Sequence, residues 1–183
     1  MPKRNRKFLA LVVVGAGLNL GVGFVVATIK LPFYLDSIGT VLATVLGGFW
    51  AGAASGILSV LVGSAYTPTL WAYAGTALII AAYVSIVYRV GYLTKLPHTV
   101  VLGLGLGVVA AIASAPVTAY VWKGVSLSGA DAVTAFFVAT GETLLESVVL
   151  GGLSTDPIDK LVTSLVAFFL LKRIPNYWFL HKC

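Results

Sequence analysis

Long uncharged stretches alternate with short polar segments along this chain of 183 residues. A helix needs about 20 consecutive apolar residues to cross the hydrocarbon core of a bilayer. The pattern therefore predicts an all-α membrane protein, a bundle of six transmembrane helices that forms a single integral membrane domain over residues 1–183. The six predicted spans are 8–29, 37–49, 52–65, 69–90, 99–121 and 158–171.

The uncharged run from residue 38 to residue 65 is the least regular part of this pattern. As one helix that rises about 1.5 Å per residue, it would be longer than the hydrocarbon core is thick. Its middle contains Gly47, Gly48 and Gly52, and glycines weaken a helix and permit a reversal of the chain. We therefore expect two short helices here rather than one long one.

The segment 122–157 interrupts the pattern because acidic residues divide its apolar pieces. Those pieces, 132–140 and 147–154, are each too short to cross a bilayer. We expect this segment to form a loop with short helices on the outer side of the membrane.

The last span is preceded by a sequence that is typical of a helix start. Asp156 is expected to cap the helix, and Pro157 to occupy its first turn. Lys160 lies one turn after Asp156, where the two side chains can form an ion pair. Pro32 is expected to end the first helix, because proline lacks the backbone N–H that a helix interior needs.

Composition excludes most other classes of protein. Hydrophobic residues make up 59% of the chain and charged residues 10%, whereas ordinary soluble domains contain about 25% charged residues. A soluble globular domain and a disordered chain are both excluded. The one cysteine, Cys183, excludes a disulfide scaffold and a thiolate metal site. The sequence also lacks a P-loop and a His-Glu-x-x-His motif, so we expect no resident cofactor or metal and no ATP hydrolysis by this chain.

The distribution of charge predicts an orientation. The net charge of +6 comes from 12 basic and 6 acidic residues. Six crossings would put both termini on one side together with most of the basic residues, and all the acidic residues on the other side. Because basic residues accumulate in cytoplasmic loops, we expect both termini in the cytoplasm. Attraction to anionic lipid accounts for the remaining basic excess, and nucleic-acid binding is not needed to explain it.

The polar link between the first two spans contains candidate ligand residues, Tyr34 and Asp36. Aromatic rings and a few polar groups line most small-molecule sites. Asp36 or Ser37 could instead cap the helix that follows. Both interpretations remain open at the level of sequence.

Three further polar residues have two interpretations each. Glu142 and Glu146 are four residues apart and share a helix face, which suits either a solvated surface helix or a pair that faces a ligand. Asn19 lies inside the first span and needs a hydrogen-bond partner there. That partner is either another helix or a ligand.

Small residues line one face of the first span at Ala10, Gly17 and Gly21. Such residues let two helices approach closely in lipid. The face could pack inside this bundle or dock a partner membrane protein.

Four sequence blocks carry a resemblance to a known family: LNLGVGF at 18–24, KLPFYLDSIGT at 30–40, LGGFWAG at 46–52 and DPIDK at 156–160. With its six predicted spans and basic start, the chain resembles the substrate-binding S components of energy-coupling factor (ECF) vitamin transporters. The overall pattern is most similar to the cobalamin-specific members.

The resemblance implies a transport subunit of the bacterial cell membrane that is not itself an enzyme. Such a subunit captures a vitamin from outside and works with a transmembrane coupling subunit and two cytoplasmic ATPases. The implied ligand is cobalamin or a related corrinoid, with riboflavin or another vitamin as the alternative. An intramembrane enzyme that uses Glu142 and Glu146, or an auxiliary membrane subunit without a ligand, are the rival functions.

The resemblance also implies positions for the ligand and for the partner. The loop between the first two spans helps to cover the ligand, which carries over to Tyr34 and Asp36. Outer loops and the ends of later spans complete the site. The family usually docks its coupling subunit through an Ala-x-x-x-Ala pair on the first span, and Ala10, Gly17 and Gly21 are the nearest equivalents here. The further site residues implied in this way are Trp71, Tyr73, Trp122, Glu142 and Glu146.

Overall fold

The computed structural model of the chain describes residues 3–31, 33–125 and 130–180. The described residues are helical, with turns and loops between the helices and no strand among them. The helices are α1 (Lys3–Thr28), α2 (Ile38–Gly47), α3 (Phe49–Gly63), α4 (Ala74–Arg89), α5 (Leu96–Pro116), α6 (Asp131–Ala139) and α7 (Leu144–Leu171). A short 3₁₀ helix, Pro68–Tyr73, leads into α4, a π-helical turn, Val117–Val121, continues α5, and a last 3₁₀ turn, Asn176–Trp178, follows α7.

Three helical stretches in the described part of the chain are long and apolar enough to cross a membrane: Arg4–Thr28, Pro68–Arg89 and Leu96–Val121. They correspond to the predicted spans at 8–29, 69–90 and 99–121. Helices α2 and α3 are apolar but shorter. The protein therefore has the helical, apolar character of a membrane protein, while the count of six crossings and the orientation stay predictions.

The chain reverses between α2 and α3 at Gly48, whose φ of +82° is in the region that favours glycine. This position lies within the glycine-rich segment where the sequence predicts two helices rather than one. Every residue of α2 is buried. A Cβ atom at Gly56 would come within 2.9 Å of the Cβ of Ala77, so the small residue also brings α3 close to α4.

Glycines at helical spacing join α5 to α7. An added Cβ at Gly103 would lie 2.7 Å from the Cα of Leu161, and one at Gly107 would collide with the backbone of Pro157. Small residues of this kind let helices in lipid pack backbone against backbone. The resulting contact holds α7 against the fully buried Leu102 and Leu106 of α5.

Helix α7 corrects the predicted start of the last span. The helix begins at Leu144, and Asp156 and Pro157 lie inside it rather than at its N-terminus. The true start is a capping box, in which Thr143 accepts from the Glu146 backbone and Glu146 accepts from the Thr143 backbone. The predicted outer loop over 122–157 therefore contains α6 and the first half of α7. The prediction was wrong because proline is common in a first helical turn but is also tolerated inside a membrane helix.

The described ends of the chain meet at one end of the bundle. The Lys7 ammonium donates a hydrogen bond of 2.6 Å to the carbonyl of Tyr177, and the backbone N–H of Leu180 donates one of 2.7 Å to the carbonyl of Leu46. The predicted roles of Pro32 and Cys183 lie outside the described residues. Helix α1 itself ends at Thr28, before Pro32.

Candidate ligand site at the first loop

Four ionisable residues come together where the first loop, residues 29–37, meets the middle of α7. We call Asp36, Asp156, Asp159 and Lys160 the acidic cluster. Asp159 is completely buried, and Lys160 and Asp156 are only 4% and 6% exposed. Charged groups at such depth in a helical membrane protein are costly, and they usually mark functional sites.

Lys160 is the positive centre of the acidic cluster. Its ammonium nitrogen lies 2.5 Å from Oδ2 of Asp159 and 3.2 Å from Oδ1 of Asp36. The expected pairing of Lys160 with Asp156 across one helical turn is not among the ion pairs of the described residues. The reason is that the first loop brings Asp36 to the ammonium, while the neighbouring Asp159 supplies the second carboxylate.

Asp159 ties the first loop to α7. Its Oδ1 atom accepts hydrogen bonds from the backbone N–H groups of Tyr34, at 3.0 Å, and Leu35, at 2.8 Å. Leu35 has a φ of +47°, a left-handed conformation that is uncommon for a leucine. Since its N–H is bound to a buried carboxylate, the bond to Asp159 helps to hold the loop in this shape.

Asp36 lies at the edge of the acidic cluster, with its side chain 56% exposed. Desolvation raises the pKa of this carboxyl, but the Lys160 ammonium and the Ser37 hydroxyl lower it by more, so the pKa lies below the ordinary value of 3.8. The Ser37 hydroxyl donates to Asp36 at 2.8 Å and makes no cap to α2. Of the two interpretations of this loop, side-chain capping is therefore not what the structure shows.

A small cavity lies beside the acidic cluster and is lined by both Tyr34 and Asp156. Its volume is about 20 Å³, which is enough for one water-sized group. Whole organic ligands usually occupy about 300–1,000 Å³, so the cavity in this conformation accommodates only the end of a larger molecule. The polar side chains around it are those of Tyr34, Ser114, Thr118, Thr134, Thr155 and Asp156.

The structure places two of the predicted aromatic residues next to this cavity. The hydroxyl groups of Tyr73 and Thr118 are 2.8 Å apart, and Thr118 lines the cavity. The rings of Tyr73 and Trp122 are 6.3 Å apart. The indole N–H of Trp122 is buried without a hydrogen-bond partner among the described residues. Trp71, by contrast, is 60% exposed and does not line the cavity.

Glu142 and Glu146 are both exposed, and neither lines the cavity. The carboxylate of Glu146 accepts hydrogen bonds from the backbone N–H of Thr143, at 3.0 Å, and from its hydroxyl, at 2.6 Å. Glu146 thus has a structural partner at the start of α7. The Thr-x-x-Glu spacing in the sequence is the signal that would have identified this cap.

Asn19 joins three helices. Its amide nitrogen donates to the Thr40 hydroxyl, at 2.8 Å, and to the Ser59 hydroxyl, at 3.3 Å, and its oxygen accepts from the Gly39 N–H at 2.7 Å. The amide is therefore fully used within the bundle, which is the interhelical interpretation. No hydrogen-bonding group of the Asn19 side chain is left over for the predicted contact with a ligand.

The small residues of α1 divide between two faces. Gly15 packs against the backbone of Gly39, whereas Gly17 and Gly21 are exposed and a Cβ atom added to either would meet no atom within 4 Å. Ala10 is partly buried. The predicted docking face is therefore not covered by the rest of the described chain at Gly17 and Gly21.

A larger cavity of about 160 Å³ lies elsewhere, between the last turns of α7 and the tail that follows it. Its lining includes Val45, Leu93, Phe168 and Phe179. None of the predicted site residues lines this cavity.

Sequence reasoning missed the three charged residues of α7 as site residues, and assigned one of them, Asp156, to a helix cap. It also missed the cavity-lining hydroxyls. The residues missed are Asp156, Asp159, Lys160, Ser114, Thr118, Thr134 and Thr155. The available signal was the presence of three ionisable residues within five positions of an apolar helix. Among the described residues, no group of three or more His, Cys, Asp or Glu side chains is arranged to hold a metal ion. Comparison of the chain with protein-family models, curated proteins and solved structures gives no match.

Proposed function

We propose that this protein is the substrate-capture subunit of an ATP-driven vitamin importer of the ECF type in the bacterial cell membrane. The observation that carries the proposal is the acidic cluster, which ties the first loop to α7 directly beside a cavity lined by polar groups. The sequence resemblance assigns this loop to the cover of the ligand site. A loop held by a few hydrogen bonds and an ion pair can be released and re-formed as a ligand enters and leaves.

The absence of a P-loop from the sequence supports a division of labour in which other subunits hydrolyse ATP. We propose that a transmembrane coupling subunit and two cytoplasmic ATPases are these partners. The open face of α1 at Gly17 and Gly21 supports a docking role for this helix.

Cobalamin or a related corrinoid is the ligand that the resemblance favours, and riboflavin or another vitamin is the alternative. The rival function of an intramembrane enzyme gains no support from Glu142 and Glu146, because Glu146 is engaged in a helix cap and neither carboxylate lines the cavity.

The first experiment identifies the ligand. The full chain is purified from cells grown in rich medium, and mass spectrometry identifies any small molecule that co-purifies. We expect one vitamin or vitamin precursor in stoichiometric amount, and uptake of that compound by cells only when the coupling module and ATP are present. Uptake without the module, or turnover of a lipid by the isolated chain, contradicts the proposal.

The second experiment tests docking with a matched pair of variants. Gly17→Leu and Gly75→Leu both add a side chain where the structure has open space, the first on α1 and the second on α4. We expect Gly17→Leu to reduce co-purification of the coupling subunit by at least tenfold, and Gly75→Leu to leave it unchanged. Equal behaviour of the two variants contradicts the docking assignment.

A further inference from the structure

The acidic cluster contains more negative than positive charge. The cluster holds three carboxylates, those of Asp36, Asp156 and Asp159, and one ammonium, that of Lys160. The ammonium makes its ion pairs with Asp36 and Asp159. Asp156 is left without a direct ion pair among the described residues. A buried carboxylate in this position is expensive unless something of opposite charge is brought to it.

Asp156 also accepts fewer hydrogen bonds than Asp159 does. Asp159 accepts two backbone N–H bonds on one oxygen and binds Lys160 with the other. Asp156 has a single hydrogen bond within the described residues, a long one of 3.4 Å from the Thr155 hydroxyl to Oδ1. Its second oxygen therefore retains its full capacity to accept hydrogen bonds.

This under-used carboxylate lines the small cavity. The lining also includes hydroxyl groups, among them those of Ser114, Thr118 and Thr134, together with Val148 and three small residues. Hydroxyl and carboxylate oxygens together suit a group that carries a positive charge and several N–H donors. The volume of about 20 Å³ fits an ammonium group, which is about as large as a water molecule.

We propose that the cavity beside Asp156 binds the protonated amine of the captured molecule. The inference rests on the proposed function in taking the cavity as the inner end of the ligand site, and it adds the chemical class of the ligand. An anionic ligand would meet the carboxylate of Asp156, which has no direct ion pair among the described residues. A divalent metal ion usually requires more oxygen ligands than one carboxylate and a few hydroxyls supply. Among candidate vitamins and precursors, the site selects those that present a protonated amine. Cobalamin and riboflavin carry none, so the amine site favours another vitamin or precursor over the ligand that the resemblance favours.

The test uses the purified full chain in detergent and methylammonium chloride as the probe. Thermal unfolding is measured at constant ionic strength as methylammonium replaces sodium, and tetramethylammonium serves as a cation of equal charge that is larger and has no N–H group. A ligand that binds only the folded state raises the unfolding temperature in a saturable way. We expect saturable stabilisation of the wild type by methylammonium and by neither of the other two cations.

Two isosteric variants locate the effect. Asp156→Asn removes the carboxylate that lines the cavity, and we expect it to weaken methylammonium binding at least tenfold. Glu142→Gln removes an equal charge at an exposed position that does not line the cavity, and it is the control. We expect its response to methylammonium to equal that of the wild type.

Several results overturn the inference. These are equal responses of the wild type and Asp156→Asn, equal stabilisation by methylammonium and tetramethylammonium, and no response of the wild type. Stabilisation of the wild type by acid alone, lost in Asp156→Asn and without any methylammonium effect, would show that a proton takes the place assigned to the amine.

The vitamin-uptake experiment separates this inference from the proposed function. Methylammonium binding that depends on Asp156, in a protein that supports no vitamin uptake, overturns the proposed function and retains the amine site. Vitamin uptake that is unaffected by Asp156→Asn, without methylammonium binding, overturns the amine site and retains the proposed function.

Discussion

The amide of Asn19 and the carboxylate of Asp156 are both buried polar groups inside apolar helices, but their surroundings differ. Asn19, which is 2% exposed, uses both its nitrogen and its oxygen in hydrogen bonds to α2 and α3. Asp156 has one long hydrogen bond and no direct ion pair within the described part of the chain. A satisfied polar group fixes how helices pack, whereas an under-used one beside a cavity is suited to binding.

The two halves of the bundle show the same contrast. Around α1, α2 and α3 the buried polar side chains are mostly hydroxyls and an amide, and no formal charge is present among the buried residues of α2 and α3. On α7 the buried polar side chains include three charged ones, and two of them, Asp159 and Lys160, have partners in the first loop. We infer that the first half is a framework and that the contact between the first loop and α7 is where function is located.

The largest effect is expected from Asp159→Ala. The change removes the closest partner of the buried Lys160 ammonium and leaves the N–H groups of Tyr34 and Leu35 without their acceptor. Breaking a buried ion pair from one side costs about 3–5 kcal/mol. Unfolding by denaturant in detergent should show this loss, together with faster proteolysis within the first loop.

The control for this variant is Ser154→Ala, a change at an exposed position of the same helix. Within the described residues, the Ser154 hydroxyl donates to the carbonyl of Leu150, one turn earlier in α7. We expect this variant to unfold like the wild type. If Asp159→Ala lost no more stability than Ser154→Ala, Asp159 would not be the group that ties the first loop to α7.

A smaller but still large effect is expected from Asn19→Ala. The variant leaves the Gly39 N–H buried without an acceptor and removes the bonds to the Thr40 and Ser59 hydroxyls. Leaving a buried group unsatisfied costs about 1–3 kcal/mol. The unfolding free energy should fall by that amount while the affinity of the folded protein for its ligand is retained.

The exposed Thr28→Ala on the same helix is the control, and it should change neither the unfolding free energy nor the ligand affinity. Loss of ligand affinity without loss of stability would reverse the roles assigned to Asn19 and Asp156.

Asp156→Asn is expected to act in the opposite direction on stability. Removal of a buried charge without a direct ion partner should raise the unfolding free energy by about 1 kcal/mol, since less desolvation has to be offset. Ligand capture should fall at the same time. Calorimetric unfolding and ligand titration of the same sample measure the two effects together. A loss of stability comparable to that of Asn19→Ala would mean that Asp156 is a structural group after all.

The smallest effect is expected from Asp36, whose side chain is more than half exposed. Because its pKa is below 3.8 in the folded protein, the ion pair with Lys160 contributes its full stability at pH values above 3.8. That contribution is lost as the pH falls further, through the folded-state pKa. The difference in unfolding free energy between the wild type and Asp36→Asn should be constant from pH 7 to about pH 5 and disappear in stronger acid, and its size should be at most about 1 kcal/mol. A difference that disappears near neutral pH would assign the titration to another group.

Local sequence signals predicted some features of the fold well and others badly. The glycine segment around Gly48 correctly indicates a break between two short helices, because a positive φ there favours glycine in any context. The signals at Asp156 and Pro157 indicate a helix start, yet both residues lie inside α7. The same residue types serve at a helix start and at an interior site, and the difference depends on the Thr143 cap and on the contact of Pro157 with Gly107.

The candidate site was predicted only in part. Tyr34 was named from the sequence and lines the cavity, and Tyr73 lies beside it through its bond to Thr118. Glu142 and Glu146 were named and lie away from it. Sequence spacing identifies residues that share a helix face, but it does not show which faces of different helices meet.

Apolar length and glycine conformation act within a few neighbouring residues. The pattern along the chain was therefore enough to predict a helical, membrane-type protein and the break between α2 and α3 at Gly48. Which charges meet depends instead on segments that are far apart in the chain. Asp36 and Lys160 are 124 positions apart in the chain and form an ion pair, while Asp156, four residues from Lys160, is left facing the cavity. Pairing of buried charges depends on distances through space, which the packing of the first loop on α7 sets.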